Sequence, residues 1–172
     1  YPAYKANREL PPPQLVRQFA LCREIAAALG LTVLNDHQYE ADDLIGSALW
    51  GLRSHGFRGV IVSADKDFGQ LLGESDEQWD FAKNVRWGAA GVFERMGVHP
   101  HQVADYLALC GDAVDNIPGV PGIGAKTAAA LLAHFGSLDN ILERVDEVPY
   151  LRIRGAAACA ARLREHAEQA LL

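Results

Sequence analysis

A chain of 172 residues that is 49% hydrophobic is long enough for one main domain with a small appended module, and too apolar to be disordered. Its three cysteines, Cys22, Cys110 and Cys159, are odd in number, far apart and without CxxC spacing, which argues against a disulfide framework or a structural zinc site and for a reducing compartment. No apolar run is long enough to span a bilayer, and a net charge of −6 speaks against a simple electrostatic binder of DNA.

The prolines Pro11 to Pro13 open a helix, in which Leu15, Phe19, Cys22, Ala26 and Leu29 recur at helical spacing and Gly30 is the terminator. Leu31 to Leu34 reads as a short buried strand. A second helix is expected from Ala41 to Ser54, with Leu44, Ile45, Ala48, Leu49 and Leu52 facing inward. The apolar run Gly59 to Ser63 suits the centre of a parallel sheet. A short helix from Phe68 to Leu72 and weaker strands at Gln78–Phe81 and Val85–Trp87 follow. From Pro100 the pattern is helical: His101–Leu109, then the Gly/Pro-rich stretch Ile117–Gly124, then Ala125–Phe135 ended by Gly136. Ser137 N-caps a helix through Val145, and the tail from Ala156 to Leu172 is helical. Alternating helix and strand followed by a helical module predicts an α/β domain, residues 1–98, carrying a helical extension, 99–172.

Seven of the 22 acidic residues fall in three tight groups: Glu40, Asp42 and Asp43; Asp65 and Asp67; Asp112 and Asp115. Without them the rest of the chain has a net charge of +1, so cations bound among them would weaken the electrostatic objection to DNA. Each group has a plain reading. The first can cap a helix, the second can be a polar loop neutralised by Lys66, and the third can be a helix-end turn. One acid would satisfy a cap, however, whereas three within four residues repel one another. Asp65 and Asp67 also directly follow the apolar strand, where ligands of α/β sheets bind. Several carboxylates around paired cations are what metal-assisted phosphodiester hydrolysis requires, and hard oxygen ligands select Mg²⁺ or Mn²⁺. No Ser/His/Asp or Cys/His arrangement competes. His99-Pro100-His101 reads as a helix start.

Gly119-Val120-Pro121-Gly122-Ile123-Gly124-Ala125-Lys126-Thr127 is the most specific segment. Its glycines allow a tight turn that feeds a helix N-terminus, where exposed N–H groups can cradle phosphate and Lys126 adds charge. Such an element holds a nucleic-acid backbone without reading bases. The plain alternative is a structural turn between packed helices.

In this order and spacing, Glu40-Ala41-Asp42-Asp43, Ala64-Asp65-Lys66-Asp67 and Gly111-Asp112-Ala113-Val114-Asp115-Asn116 through Gly124 resemble the bacterial 5′–3′ exonucleases. These are the flap endonucleases, including the N-terminal nuclease domain of DNA polymerase I. Tyr4-Lys5-Ala6-Asn7-Arg8 also fits, and the resemblance covers nearly the whole chain.

The resemblance implies a PIN-like nuclease core and a helix-three-turn-helix module. It implies a bacterial cytoplasmic enzyme, monomeric, acting on branched or nicked duplex DNA with a 5′ flap in replication and repair. Glu40, Asp42, Asp43 and Asp65 would serve one Mg²⁺ or Mn²⁺, and Asp67, Asp112 and Asp115 another. Lys5 and Arg8 would contact the scissile phosphate. Gly119, Val120, Gly122, Ile123, Gly124, Lys126 and Thr127 would bind the duplex backbone, with K⁺ at the hairpin. It further implies a strand with another metal-site Asp and a strand-threading arch, neither of which lies in this sequence. They would complement the chain intramolecularly or as a separate piece. Two other readings stay open: a non-catalytic binder of branched DNA, and a PIN-type ribonuclease, against which the hairpin argues.

Overall fold

A computed structural model of the chain describes residues 1–171, which divide into two compact units: Arg8–Phe57, and Tyr1–Asn7 together with the chain from Arg58 onward. In the unit Arg8–Phe57, Pro12 and Pro13 start α1 (Pro13–Ala28) as expected, because proline's fixed φ suits a first turn that needs no N–H. Gly30 follows with φ +80°. The expected inward stripe is not enclosed: no residue of α1 is buried, and Leu15, Phe19 and Leu29 are 40%, 46% and 73% exposed. The second helix, α2 (Ala41–Arg53), buries only Leu49, with Leu44, Ile45 and Ala48 half-buried and Leu52 exposed. Two helices offer too little apolar surface to close a core of their own. Leu31–Leu34 forms no strand and is exposed, since this unit contains no second extended segment to complete a ladder.

The other unit contains the sheet, formed by β1 (Val60–Val62), β2 (Glu77–Asp80) and β3 (Val85–Trp87) in the order β1-β2-β3. β1 pairs parallel with β2 and β2 antiparallel with β3, with Ile61 opposite Gln78 and Trp79 opposite Arg86. The sheet is therefore mixed. β1 stands at its edge, with Ile61 buried but Val60 and Val62 exposed, not at the centre of a parallel sheet. The short helix expected after β1, at Phe68–Leu72, is a 3₁₀ helix, Lys66–Leu71. The buried Asp76 carboxylate closes this crossover, accepting the Gly59 N–H at 2.8 Å and the Gly73 N–H at 2.9 Å. Helix α3 (Ala89–Met96) was not expected; it buries Val92 and ends on Gly97 in the left-handed region, a terminator the sequence does carry.

The helical part comprises a 3₁₀ turn at Pro100–Gln102, α4 (Val103–Cys110), α5 (Ala125–Phe135), α6 (Leu138–Glu143), a 3₁₀ helix at Val145–Tyr150, α7 (Ala156–Glu165) and α8 (Ala167–Ala170). Leu172, in the expected tail helix, lies outside the described residues. Leu109, Leu131, Leu132, Ile141, Val148 and Leu163 are fully buried between these elements. Polar side chains close the helix ends. The Gln102 amide donates to the carbonyls of Leu132 (3.1 Å) and Gly136 (2.9 Å), and the Asp105 carboxylate accepts the Leu138 N–H at 2.9 Å. Ser137 Oγ accepts the Asn140 N–H, the expected N-cap. Among the described residues no helix is long and apolar enough to cross a membrane, and all three cysteines are free.

Replacing Asp76 leaves two half-buried N–H groups, of Gly59 and Gly73, without this acceptor. Asp76→Ala is expected to lower the unfolding free energy by about 3 kcal/mol. Urea unfolding checks this, and a loss below about 1 kcal/mol would show that the carboxylate does not hold the crossover.

Candidate active site

Asp65 and Asp67 leave the carboxyl end of β1, and Asp112 and Asp115 leave the end of α4. The fold brings these four carboxylates to one cleft of about 400 Å³, lined also by Ala64, Lys66 and Val114. Asp112 is buried, Asp67 and Asp115 are half-buried, and Asp65 is exposed. The Lys66 ammonium hydrogen-bonds the Asp112 carboxylate and lies 3.7 Å from Asp67 Oδ1.

Both acidic loops are held by hydrogen bonds to their backbones. The Gln78 side chain, fully buried on β2, donates its amide to the carbonyls of Ser63 (3.0 Å) and Asp65. Asp65 Oδ1 accepts the Asp67 N–H at 3.0 Å, and Ser63 Oγ accepts the Asp65 N–H at 3.1 Å. Across the cleft, Asp112 and Ile117 exchange backbone hydrogen bonds of 2.8 and 2.7 Å, and Asp112 Oδ1 accepts the Val114 N–H at 2.8 Å. The opening segment packs on this loop. The Lys5 N–H donates to the Asp115 carbonyl at 2.9 Å, Asn7 donates to the Ala113 carbonyl at 2.9 Å, and Tyr4 OH donates to Asp115 Oδ2 at 3.4 Å. Lys5 itself has φ +56°, uncommon for a residue with a Cβ, and its ammonium lies 4.6 Å from the Tyr4 ring centroid. Gln78 escaped the sequence reading. A glutamine within the expected strand Gln78–Phe81 was the available signal.

The electrostatics suit a cation. Burial pushes the Asp67 carboxyl above the usual carboxylate range, and Asp65, Asp112 and Asp115 add to this against the opposing Lys66. Burial also works against ionised Asp112, but Lys66 and the Val114 N–H outweigh it and hold that carboxyl low. Asp67 Oδ1 is buried with no hydrogen-bond donor. A divalent cation would supply the partner that this oxygen lacks and offset the repulsion. Among the described residues no three His, Cys, Asp or Glu side chains already stand in ligating geometry, and the ammonium on Asp112 takes part of the role a cation would fill.

Glu40, Asp42 and Asp43 belong to the other unit, where all three are exposed at the start of α2. Asp43 Oδ2 accepts the Glu40 N–H at 2.9 Å, so at least this acid does cap the helix. Arg8 is the first residue of that same unit.

The hairpin continues directly from the Asp112–Ile117 bridge. Gly119 has φ +64°, and a Cβ there would lie 2.4 Å from the Gly111 nitrogen, so the two backbones touch where no side chain fits. The Val120 N–H donates to the Leu109 carbonyl at 2.8 Å, and Gln169 of α8 donates to the Gly119 carbonyl. Val120 and Ile123 are buried, so these two can offer a ligand only backbone. Gly122, Gly124 and Lys126 are exposed and Thr127 is half-buried. Lys126 lies in the first turn of α5, where a helix leaves its amides unsatisfied.

Comparison with known proteins matches these features to one family. Residues 1–97 match the model of the 5′–3′ exonuclease N-terminal resolvase-like domain, and residues 98–172 that of the 5′–3′ exonuclease C-terminal SAM fold. DNA polymerase I of Rhizobium leguminosarum is 43% identical over 154 residues, covering 90% of this chain and 15% of that protein. The 5′–3′ exonuclease of Buchnera aphidicola subsp. Acyrthosiphon pisum is 38% identical over 169 residues, covering 98% of this chain and 59% of its own length. The chain thus spans well under two thirds of both relatives. Among solved structures, the bacteriophage T5 flap endonuclease, in a pseudo-enzyme-product complex with DNA and metal ions, superposes with a TM-score of 0.73. The superposition covers 99% of this chain and 64% of that one, at 25% identity. With both halves matched in order, this chain belongs to the 5′–3′ exonuclease family.

Proposed function

We propose that the chain is part of a structure-selective 5′ nuclease that hydrolyses DNA phosphodiesters, as 5′–3′ exonuclease and flap endonuclease, in replication and repair. The observation that carries this is the meeting of Asp65, Asp67, Asp112 and Asp115 in one cleft whose far wall runs without a break into the glycine hairpin. The structure of the T5 relative with DNA and metal ions supports the substrate and the cofactor class. In this reading residues 1–98 are the nuclease core and residues 99–172 the DNA-binding module, a division that the two family matches support.

Two or more Mg²⁺ or Mn²⁺ ions, when bound, would supply a water acidified to hydroxide and a charge clamp on the phosphate. Asp65, Asp67, Asp112 and Asp115 would hold them, with Glu40, Asp42 and Asp43 contributing to one. Lys66, bonded to Asp112 and 3.7 Å from Asp67 Oδ1, offsets part of the charge of these two carboxylates. Lys5, whose backbone is tied to the Asp115 carbonyl, and Arg8 would steady charge developing on the scissile phosphate. Gly119, Val120, Gly122, Ile123 and Gly124, with Lys126 and Thr127, would lie against the duplex backbone and hold it through its charge, with K⁺ at the hairpin; the Val120 and Ile123 N–H groups are themselves bonded to the carbonyls of Leu109 and Val120.

The intact protein with Mg²⁺ or Mn²⁺ is expected to cut a labelled 5′-flap duplex, and EDTA or Asp65→Ala is expected to abolish cutting while leaving DNA binding in place. Binding without any metal-dependent cleavage in the unmutated protein would favour the non-catalytic reading instead. Gln78→Met, which removes the amide that holds the Asp65 loop, should weaken Mn²⁺ binding by about tenfold as measured by calorimetry. An unchanged Mn²⁺ affinity in folded protein would remove Gln78 from the site. Lys126→Ala should weaken DNA binding across all sequences and make its salt dependence shallower by about one unit of slope. A slope identical to wild type would return the hairpin to a purely structural role.

A further inference from the structure

A second concavity, of about 210 Å³, opens beside the carboxylate cleft and shares Ala64 and Lys66 with it. Its charge is the reverse of its neighbour's. Where the first cleft gathers four carboxylates around one ammonium, this one gathers Lys83 and Arg95 around the single carboxylate of Asp80, with Lys66, whose ammonium is bonded to Asp112, in the shared wall. That carboxylate is already engaged. It accepts the Lys83 ammonium at 3.0 Å and the Lys83 N–H at 3.1 Å, and these bonds hold it below the usual carboxylate range. Lys83 remains 76% exposed, so its ammonium has donors left for a second acceptor. The Arg95 guanidinium lies 4.1 Å from the Trp87 ring centroid. Stacking uses the flat face of the guanidinium and leaves its N–H edge for an anion, which is how a stacked arginine recognises phosphate.

Position adds to charge. β1 and β2 run parallel, so the Phe81–Asn84 turn that carries Lys83 leaves the same carboxyl end of the sheet as the Asp65–Asp67 loop. A nucleic-acid strand with one phosphate over the four carboxylates has a neighbouring phosphate within reach of the wall formed by Ala64 and Lys66.

We propose that the Lys83–Trp87–Arg95 pocket binds a DNA phosphate adjacent to the scissile one, on the strand that is cut. This rests on the nuclease reading above. The phosphate could belong to the continuous strand before cleavage or to the new 5′-phosphate end of the product, and the two sources are separable.

The test compares the intact wild-type protein with a neutral double variant, Lys83→Gln with Arg95→Gln, and a charge-keeping one, Lys83→Arg with Arg95 left in place. Each is titrated in EDTA with an uncut 5′-flap duplex and with nicked duplexes that carry or lack a 5′-phosphate. The neutral variant is expected to bind about tenfold more weakly, with a salt slope shallower by about one, while the charge-keeping variant binds like wild type. A loss on the flap duplex assigns the pocket to the continuous strand. A loss only on the 5′-phosphorylated nick assigns it to the product end. Mn²⁺ affinity, read by calorimetry, stays at the wild-type value in both variants. Wild-type affinity and slope for the neutral variant on all duplexes would overturn the pocket, as would equal weakening in the charge-keeping variant. In either case cleavage by the wild type would leave the nuclease reading standing. A wild type that neither binds nor cuts would bring down both.

Discussion

Four carboxylates meeting in one cleft with a single ammonium among them is the constraint on which the rest of this structure turns. Left to themselves they would spread apart. Instead, the loops that carry them are fixed by hydrogen bonds to their backbones. Gln78 holds the carbonyls on either side of Ala64, and the Asp112–Ile117 bridge pins the opposite loop at both ends. Hydrogen bonds also reach Asp65, Asp112 and Asp115, whereas Asp67 Oδ1 is buried with no hydrogen-bond donor. Backbone hydrogen bonds therefore fix where the four carboxylates stand, and the Lys66 ammonium on Asp112 offsets part of their repulsion.

The same bridge makes the cleft and the hairpin one mechanical piece. Between Asp112 and Gly119 the chain doubles back so closely that Gly111 and Gly119 pack backbone on backbone, with Val120 bonded to Leu109 of α4. Any displacement of the hairpin is therefore felt at Asp112 and Asp115. Such a connection fixes the distance between the acidic cleft and the glycine turn. The basic concavity on the other side of Ala64 and Lys66 extends this logic: acidic and basic walls alternate along one sheet edge, as a polyanion held by bound cations requires.

Much of the fold was legible in the sequence where local rules act alone. The helix Ala125–Phe135 has a glycine at each end and matched to the residue, and α2 began where the acids announced it. The glycine hairpin was readable because a left-handed residue at Gly119 and the close approach at Gly111 tolerate nothing larger. Local rules failed where a partner decides the outcome. Leu31–Leu34 has strand composition but no neighbour to pair with in its unit, and the periodic face of α1 has none to cover it. α3 is eight residues long with a glycine inside, so its periodicity was too brief to register.

What the sequence by itself determined is the set of chemical parts: three acidic groups, a lysine between two of the acids, and a glycine-rich turn that opens a helix, each carried by short-range spacing. Only the tertiary structure decided that Asp65 and Asp67 face Asp112 and Asp115, since 45 residues and a change from strand to helix separate Asp67 from Asp112. It alone made Gln78 a holder of the acidic loop and set Lys83 and Arg95 around one hollow beside it. The physical reason is the same in each case. Helical and turn preferences are properties of a few consecutive residues, whereas the field at a carboxylate depends on which distant groups the packed core brings within a few ångströms of it.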